Sequence, residues 1–281
     1  MRLYLTVNLP LVLLLSLPTA PLSAQDIVTR MEHEHAGDAP VASPAAEAEP
    51  AVPVVGAEVA YATLDDRAIH GYLARPAQGT PRGGILVIHE WWGLNDQIRA
   101  MADRLAGEGY AALAVDLYEG EVGTDRDAAA TLMRKSLGRQ EMLDENLRQA
   151  YGFLTAETNV GDVGVIGWCF GGGWSLRTAL LLGDRIGAAV IYYGRLVTDV
   201  QELAPLDSPV LGFFGELDGG IPVATVRAFE TALETLQKPA SIHVYPGADH
   251  AFANPSGTRY DEAAADDAWK KTLHFFAEHL E

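Results

Sequence analysis

The chain is short of two things. It has one cysteine, Cys169, in 281 residues, and it sets only 20 lysines and arginines against 38 aspartates and glutamates. A single cysteine cannot close an intramolecular disulfide, so the fold has to be held by its core. The formal net charge of -18 repels phosphate backbones and anionic lipid headgroups. Nucleic acid and membrane-surface partners are therefore not expected, and the ordinary consequence of the charge is solubility. Long apolar runs are also scarce. The concentrated one, Leu11–Leu15, follows the lone charge Arg2 and precedes Pro18, Pro21 and the small-residue stretch Leu22-Ser23-Ala24. That order is the order of an export signal cleaved after Ala24, and the run is too short and too proline-broken for a stable membrane span. Residues 1–24 are accordingly expected to be a signal peptide, with the folded part periplasmic or secreted. An unpaired thiol in an oxidising compartment is a liability unless it is buried or used, which turns attention to Cys169.

What the chain does have is enough apolar mass, 48% against 21% charged, for one large domain. Residues 25–56 read as a flexible acidic linker rich in alanine and proline, unable to bury enough surface to offset its ordering entropy. Within it, Glu32-His33-Glu34-His35 places two histidines among acids. With no other metal ligand positioned nearby, these read as part of a solvated tail. From residue 57 to 281 short apolar runs alternate with amphipathic stretches. Core strands are expected at Gly84–His89, Tyr110–Leu117, Val163–Gly167, Ala188–Tyr193, Pro209–Phe214 and Ser241–Tyr245, after an edge hairpin at Ala57–Leu73. Helices are expected at Gln97–Gly107, Ala128–Ala156 with a break near Gly138, Gly172–Leu182, Val223–Leu236 and Glu262–Leu280. This alternation predicts an α/β fold with a mostly parallel central sheet and helices on both faces. There is no internal repeat.

In such sheets functional groups gather at the carboxyl ends of the strands. After the 163–167 strand stands Gly167-Trp168-Cys169-Phe170-Gly171, a nucleophile-elbow pattern with cysteine at its centre. The glycines leave room for a tight turn, and the helix that follows offers its N-terminal dipole to a thiolate and a developing oxyanion. Taken alone, the same cysteine fits an inert buried thiol. Asp218 follows the 209–214 strand and His250 follows the 241–245 strand. Singly, the first reads as a turn aspartate and the second as an ordinary loop histidine. In the order nucleophile, acid, histidine, each just past a core strand, they read as the triad of an α/β-hydrolase. His89-Glu90-Trp91-Trp92-Gly93 ends the 84–89 strand. The backbone N–H groups of Trp91 and Phe170 are the expected oxyanion donors, and Glu90 is expected near Cys169. A zinc-helix reading of His89-Glu90 fails because Gly93 stands where a second histidine would be needed.

These segments, with Tyr192-Tyr193-Gly194, Gly215-Glu216-Leu217-Asp218 and Asp249-His250-Ala251-Phe252, resemble the dienelactone hydrolase family over residues 58–281. The resemblance implies a carboxylic ester hydrolase with a Cys–His–Asp triad, no metal or organic cofactor, and a Glu90 that holds the resting thiol and helps deprotonate it. The expected substrate is a small ester or lactone, cleaved through a thioester. Trp92, Tyr193, Phe252 and Asn254 are the expected pocket residues. Asn254 occupies the position, four past His250, where family members acting on anionic dienelactone carry an arginine, so the resemblance leaves the substrate open. It leaves the oligomeric state open too. Two other readings start from the same residues: a redox-reactive thiol protein, and a secreted binding module on the same fold.

Overall fold

The computed structural model describes residues 24–280, so the expected signal peptide lies outside the described residues. Helix α1 (Ala24–Glu34) and the short α2 (Pro44–Glu47) come first. An antiparallel pair follows, β1 (Val54–Leu64) and β2 (Arg67–Pro76). Asp65 and Asp66 both take positive φ (48° and 60°) at the hairpin tip, the backbone that a two-residue turn between twisted strands requires. Then strands and helices alternate: β3 (Gly84–Ile88), α3 (Asp96–Gly107), β4 (Ala111–Val115), α4 (Arg126–Leu137), α5 (Gln140–Thr158), β5 (Val163–Trp168), α6 (Phe170–Leu182), β6 (Ala188–Tyr192), α7 (Val200–Leu203), β7 (Val210–Gly215), α8 (Val223–Thr235), β8 (Ala240–Tyr245) and α9 (Glu262–His279). Asn95 caps α3 by accepting from Ile98 N at 3.0 Å, and Asp261 caps α9 by accepting from Ala264 N at 3.1 Å.

The eight strands form one sheet in the order β1-β2-β4-β3-β5-β6-β7-β8. The pairs β1–β2 and β2–β4 are antiparallel, and every pair from β4 to β8 is parallel. Strands β3 to β7 are buried from end to end because helices cover both faces, which is why their sequences are continuous apolar runs without alternation. The outer strand β8 is only partly buried. All parallel strands point the same way, so the loops after β3, β5, β7 and β8 meet at one edge of the sheet.

The N-terminal segment departs from expectation. Residues read from composition as a flexible linker are laid against the domain. Val28 is fully buried and Met31 nearly so, on the face of α1 turned to the core. Arg30 Nη1 donates to Gly220 O (3.2 Å), Ser43 N to Pro255 O (2.9 Å) and Gly257 N to Val41 O (2.8 Å), while Arg104 Nη1 donates to Ala45 O (2.8 Å). Ala42 and Ser256 form an isolated antiparallel bridge. The segment gains its order from these long-range contacts, which offset the entropy that its local composition cannot. His33 remains exposed, as expected of a solvated tail; His35 is fully buried, contrary to that reading.

Candidate active site

Cys169 sits between β5 and α6 with φ 56° and ψ −115°, a conformation that L residues rarely adopt. The two flanking glycines make the turn possible. A Cβ on Gly167 would stand 2.1 Å from Gly171 O, and one on Gly171 would stand 2.3 Å from Ile88 O. Phe170 opens α6, where the first N–H groups have no helix carbonyl to bind, so its amide is aimed at whatever lies beside the sulfur. Trp91 begins the turn after β3 on the other side of the site.

The loops after β7 and β8 bring Asp218 and His250 together. His250 Nδ1 lies 2.8 Å from Asp218 Oδ2, with both side chains fully buried. Asp218 also accepts from Ile221 N at 2.8 Å. Burial by itself would raise this carboxyl, but His250 and the backbone donors outweigh it and hold Asp218 below the usual carboxylate range. Burial also disfavours the charged imidazole, yet Asp218 and the thiolate outweigh it and raise His250 well above its ordinary value. Nδ1 is committed to a carboxylate, and Nε2 has no hydrogen-bond partner among the described residues.

A second pair reaches the same sulfur. His35 Nε2 lies 3.4 Å from Cys169 Sγ, and His35 Nδ1 lies 2.8 Å from Asp38 Oδ2. The His35 ring stacks on Trp91 at a centroid distance of 4.3 Å and meets His250 edge-on at 5.4 Å. Thr258 N and Oγ1 donate to Asp38 Oδ1 at 2.8 and 2.9 Å. Met31 Sδ is 3.4 Å from Cys169 Sγ, so the N-terminal segment roofs the nucleophile. Burial alone would raise the thiol; His250 and then His35 more than compensate and bring Cys169 down to about 6. One ring nitrogen each of His35 and His250 and the Cys169 sulfur lie within 4.8 Å of one another. A carboxylate fixes each imidazole, and His35 hydrogen-bonds the sulfur.

Glu90 is fully buried close to the cluster, but it is Ser256, not the thiol, that holds it. Ser256 N donates to Glu90 Oε1 at 3.0 Å and Ser256 Oγ donates to the same atom, while Oε2 has no partner. Burial raises this carboxyl well above its ordinary value, and the nearby thiolate adds to the shift. The imidazole hydrogen-bonded to the sulfur is that of His35. His89 is structural: its Nδ1 bonds Glu90 O at 2.6 Å and its Nε2 accepts from Leu117 N at 3.1 Å, and burial lowers it to about 4.

The residues expected to wall the pocket are all buried. Trp92, Tyr193, Phe252 and Asn254 are packed solid behind the triad. Tyr193 Oη donates to Asn254 Oδ1 at 2.9 Å, and the Tyr193 ring meets His250 at 5.3 Å and Phe252 at 5.2 Å. The open space lies on the opposite side of Cys169, a cavity of about 440 Å³ between α1, α4 and α6. Ile27, Met31, Met133, Leu137 and Trp174 make it apolar, and Arg177 and Arg195 stand on its wall. Arg177 is tied to Asp144 at 2.6 and 2.5 Å, whereas Arg195 is exposed. Sequence reasoning missed His35, Asp38 and this cavity. The available signal was the spacing Val28, Met31, His35, one face of a helical turn and its continuation.

A mostly parallel sheet with a cysteine on a strained turn after one central strand, and a carboxylate and histidine after two later ones, has the arrangement of an α/β-hydrolase. Comparison with known proteins narrows the class. Residues 69–280 match the dienelactone hydrolase family, and the chain belongs to it; members are hydrolases of esters. The chain is 33% identical over 254 residues, covering 85% of this chain and 87% of the relative, to the "Putative carboxymethylenebutenolidase" of Methylorubrum extorquens. It is 33% identical over 219 residues to "Protein usf" of Aquifex pyrophilus, covering 75% and 94%. Among solved structures, a "Putative Dienelactone Hydrolase" from Klebsiella pneumoniae superposes with a TM-score of 0.72 at 29% identity, covering 81% of this chain and 100% of that one.

Proposed function

We propose that this hydrolase of small esters or lactones works through Cys169, His250 and Asp218 by way of a thioester. The observation that carries the reading is the thiol on its strained turn within 4.8 Å of the unpartnered His250 Nε2, whose other nitrogen is locked by Asp218. The Cys169 thiolate attacks the carbonyl carbon, and the C–O bond to the leaving group breaks. His250 Nε2 gives its proton to the departing alkoxide. The N–H groups of Phe170 and Trp91 stabilise the oxyanion, each donor being worth about 3 kcal/mol in such sites. Water then attacks the thioester, its proton passes to His250, and the C–S bond breaks to restore the thiolate. Asp218 keeps the imidazole in the tautomer that this needs.

The apolar cavity beside Cys169 suits the hydrocarbon part of a small acyl or alkyl group, and Arg195 gives its mouth a positive charge. Export is part of the same proposal and rests on Arg2, the Leu11–Leu15 run and the Leu22-Ser23-Ala24 stretch. The test is hydrolysis of p-nitrophenyl acetate and a panel of small lactones beside Cys169→Ala. Turnover that disappears in the variant supports the reading; turnover unchanged in it removes Cys169 from the mechanism.

A further inference from the structure

The triad leaves a buried histidine–carboxylate pair unused. His35 and Asp38 repeat the geometry of His250 and Asp218: in both pairs Nδ1 stands 2.8 Å from a carboxylate oxygen and all four side chains are fully buried. Asp38 is a pure acceptor. Burial would raise it, but His35 and Thr258 outweigh burial and keep it below the usual carboxylate range. His35 Nδ1 must therefore carry a hydrogen. Its Nε2 is then left facing the sulfur at 3.4 Å. That contact needs one proton, either on the sulfur and accepted by Nε2 or on Nε2 and donated to a thiolate.

We propose that His35, fixed by Asp38, is a second catalytic histidine on Cys169, holding the thiol's own proton so that His250 is kept for the leaving group and for water. The proposal rests on the reading of Cys169 as nucleophile. In the resting enzyme the S–H bond breaks, its electron pair stays on sulfur and the proton moves to His35 Nε2. When sulfur acylates, His35 keeps that proton, and the alkoxide takes its proton from His250. When water cleaves the thioester, His250 regains a proton and the released thiolate pairs again with His35. No other reactant is needed. Asp38 acts through His35 and is a positioning residue.

The other groups facing the sulfur do not take this role. Glu90, from the loop after β3, is bound by Ser256 and held above its ordinary value mainly by burial. Tyr118 and Tyr193 are raised well above theirs, again first by burial, and remain neutral. Met31 carries no charge. Among the described residues only His35 and His250 can balance a thiolate, one delivered by the N-terminal segment and the other by the loop after β8.

The experiment reads the sulfur, not turnover: thiolate absorbance near 240 nm and chloroacetamide alkylation of the full chain across pH, with about tenfold in thiolate at acid pH corresponding to one pKa unit. His250→Gln should lose ester turnover yet keep a thiolate at neutral pH, because His35 still holds the proton. His35→Gln should lower alkylation at pH 6 about tenfold or more. Asp38→Asn, which preserves the side chain's shape should His35→Gln fold poorly, should shift the profile the same way by less. Loss of the thiolate in His250→Gln alone, or an alkylation profile unmoved in both His35→Gln and Asp38→Asn, would overturn the proposal. If no ester is turned over while the thiolate follows His35, the hydrolytic reading fails and the pairing stands.

Discussion

Two histidine–carboxylate pairs flank one sulfur, and they are built in opposite ways. His250 and Asp218 stand on loops that leave adjacent parallel strands, β7 and β8, so the sheet sets their separation. His35 and Asp38 stand just beyond α1, on a segment held by Val28, Met31 and a few backbone contacts to residues 254–258. The local geometry is the same, yet one pair is anchored in the core and the other is docked onto it. Local order in proteins tracks buried contact, so the docked pair is the one that can open. It is also the pair that, with Met31, roofs the nucleophile.

The sharpest way to break this comparison is to remove the carboxylates one at a time. Asp218→Asn should lower kcat for p-nitrophenyl acetate on the order of 10³- to 10⁴-fold, because His250 loses the tautomer it needs for transfer. Asp38→Asn should cost less than about tenfold, through the thiolate population alone. Equal losses would mean that the two pairs share the transfer step. A second contrast concerns stability. Gly171→Ala drives a Cβ to within 2.3 Å of Ile88 O, and it should cost several kcal/mol of global stability, read as a lowered Tm. Val28→Asp, which buries a charge under α1, should instead speed amide exchange in residues 24–48 and lower Tm much less. Global unfolding in both would show that the segment is part of the core.

The pH dependence sharpens the account further. The thiol's pKa is depressed to about 6, so the reactive thiolate is present above that value and is lost as pH falls through it. kcat/KM should drop about tenfold per pH unit below the apparent pKa, which belongs to the coupled Cys–His cluster as a unit, and should hold above it until His250 loses the proton that it gives to the alkoxide. An acid limb near 8 would mean that neither histidine stabilises the sulfur. The smallest effect is expected at the cavity mouth. Arg195→Ala should raise KM a few-fold for esters bearing a carboxylate and leave neutral esters unchanged, since an exposed charge contributes at most about 1 kcal/mol.

The contrast between the pairs is also the contrast between what was legible in the sequence and what was not. Cys169, Asp218 and His250 each follow an apolar run just where a strand would end, and the flanking glycines Gly167 and Gly171 mark the turn. Local pattern carried those positions, along with the strand and helix order. Asp38 and His35 have no such frame. Ala-, Pro- and acid-rich composition argues for a solvated linker, and contacts with α3, α4, Gly220 and the 254–258 loop, far away in sequence, reverse it. The same tertiary dependence hides the cavity beside Cys169. Tyr193 packs on Phe252 and bonds Asn254, Trp92 packs on Trp91, and the cavity is made by Ile27 and Met31 of α1 against α4 and α6. Glu90 lies near enough to feel the charge of Cys169, and it accepts its hydrogen bonds from Ser256, a partner distant in sequence.

The central claim is that Cys169 is the nucleophile of an ester hydrolase. Its most direct test is mass spectrometry of the intact and digested protein after acid quench within the first turnovers of p-nitrophenyl acetate. The account predicts an acetyl group on the peptide containing Cys169, removable by hydroxylamine as a thioester is, and absent in Cys169→Ala. An acetyl group on another residue, or turnover with no covalent adduct at any quench time, would contradict it.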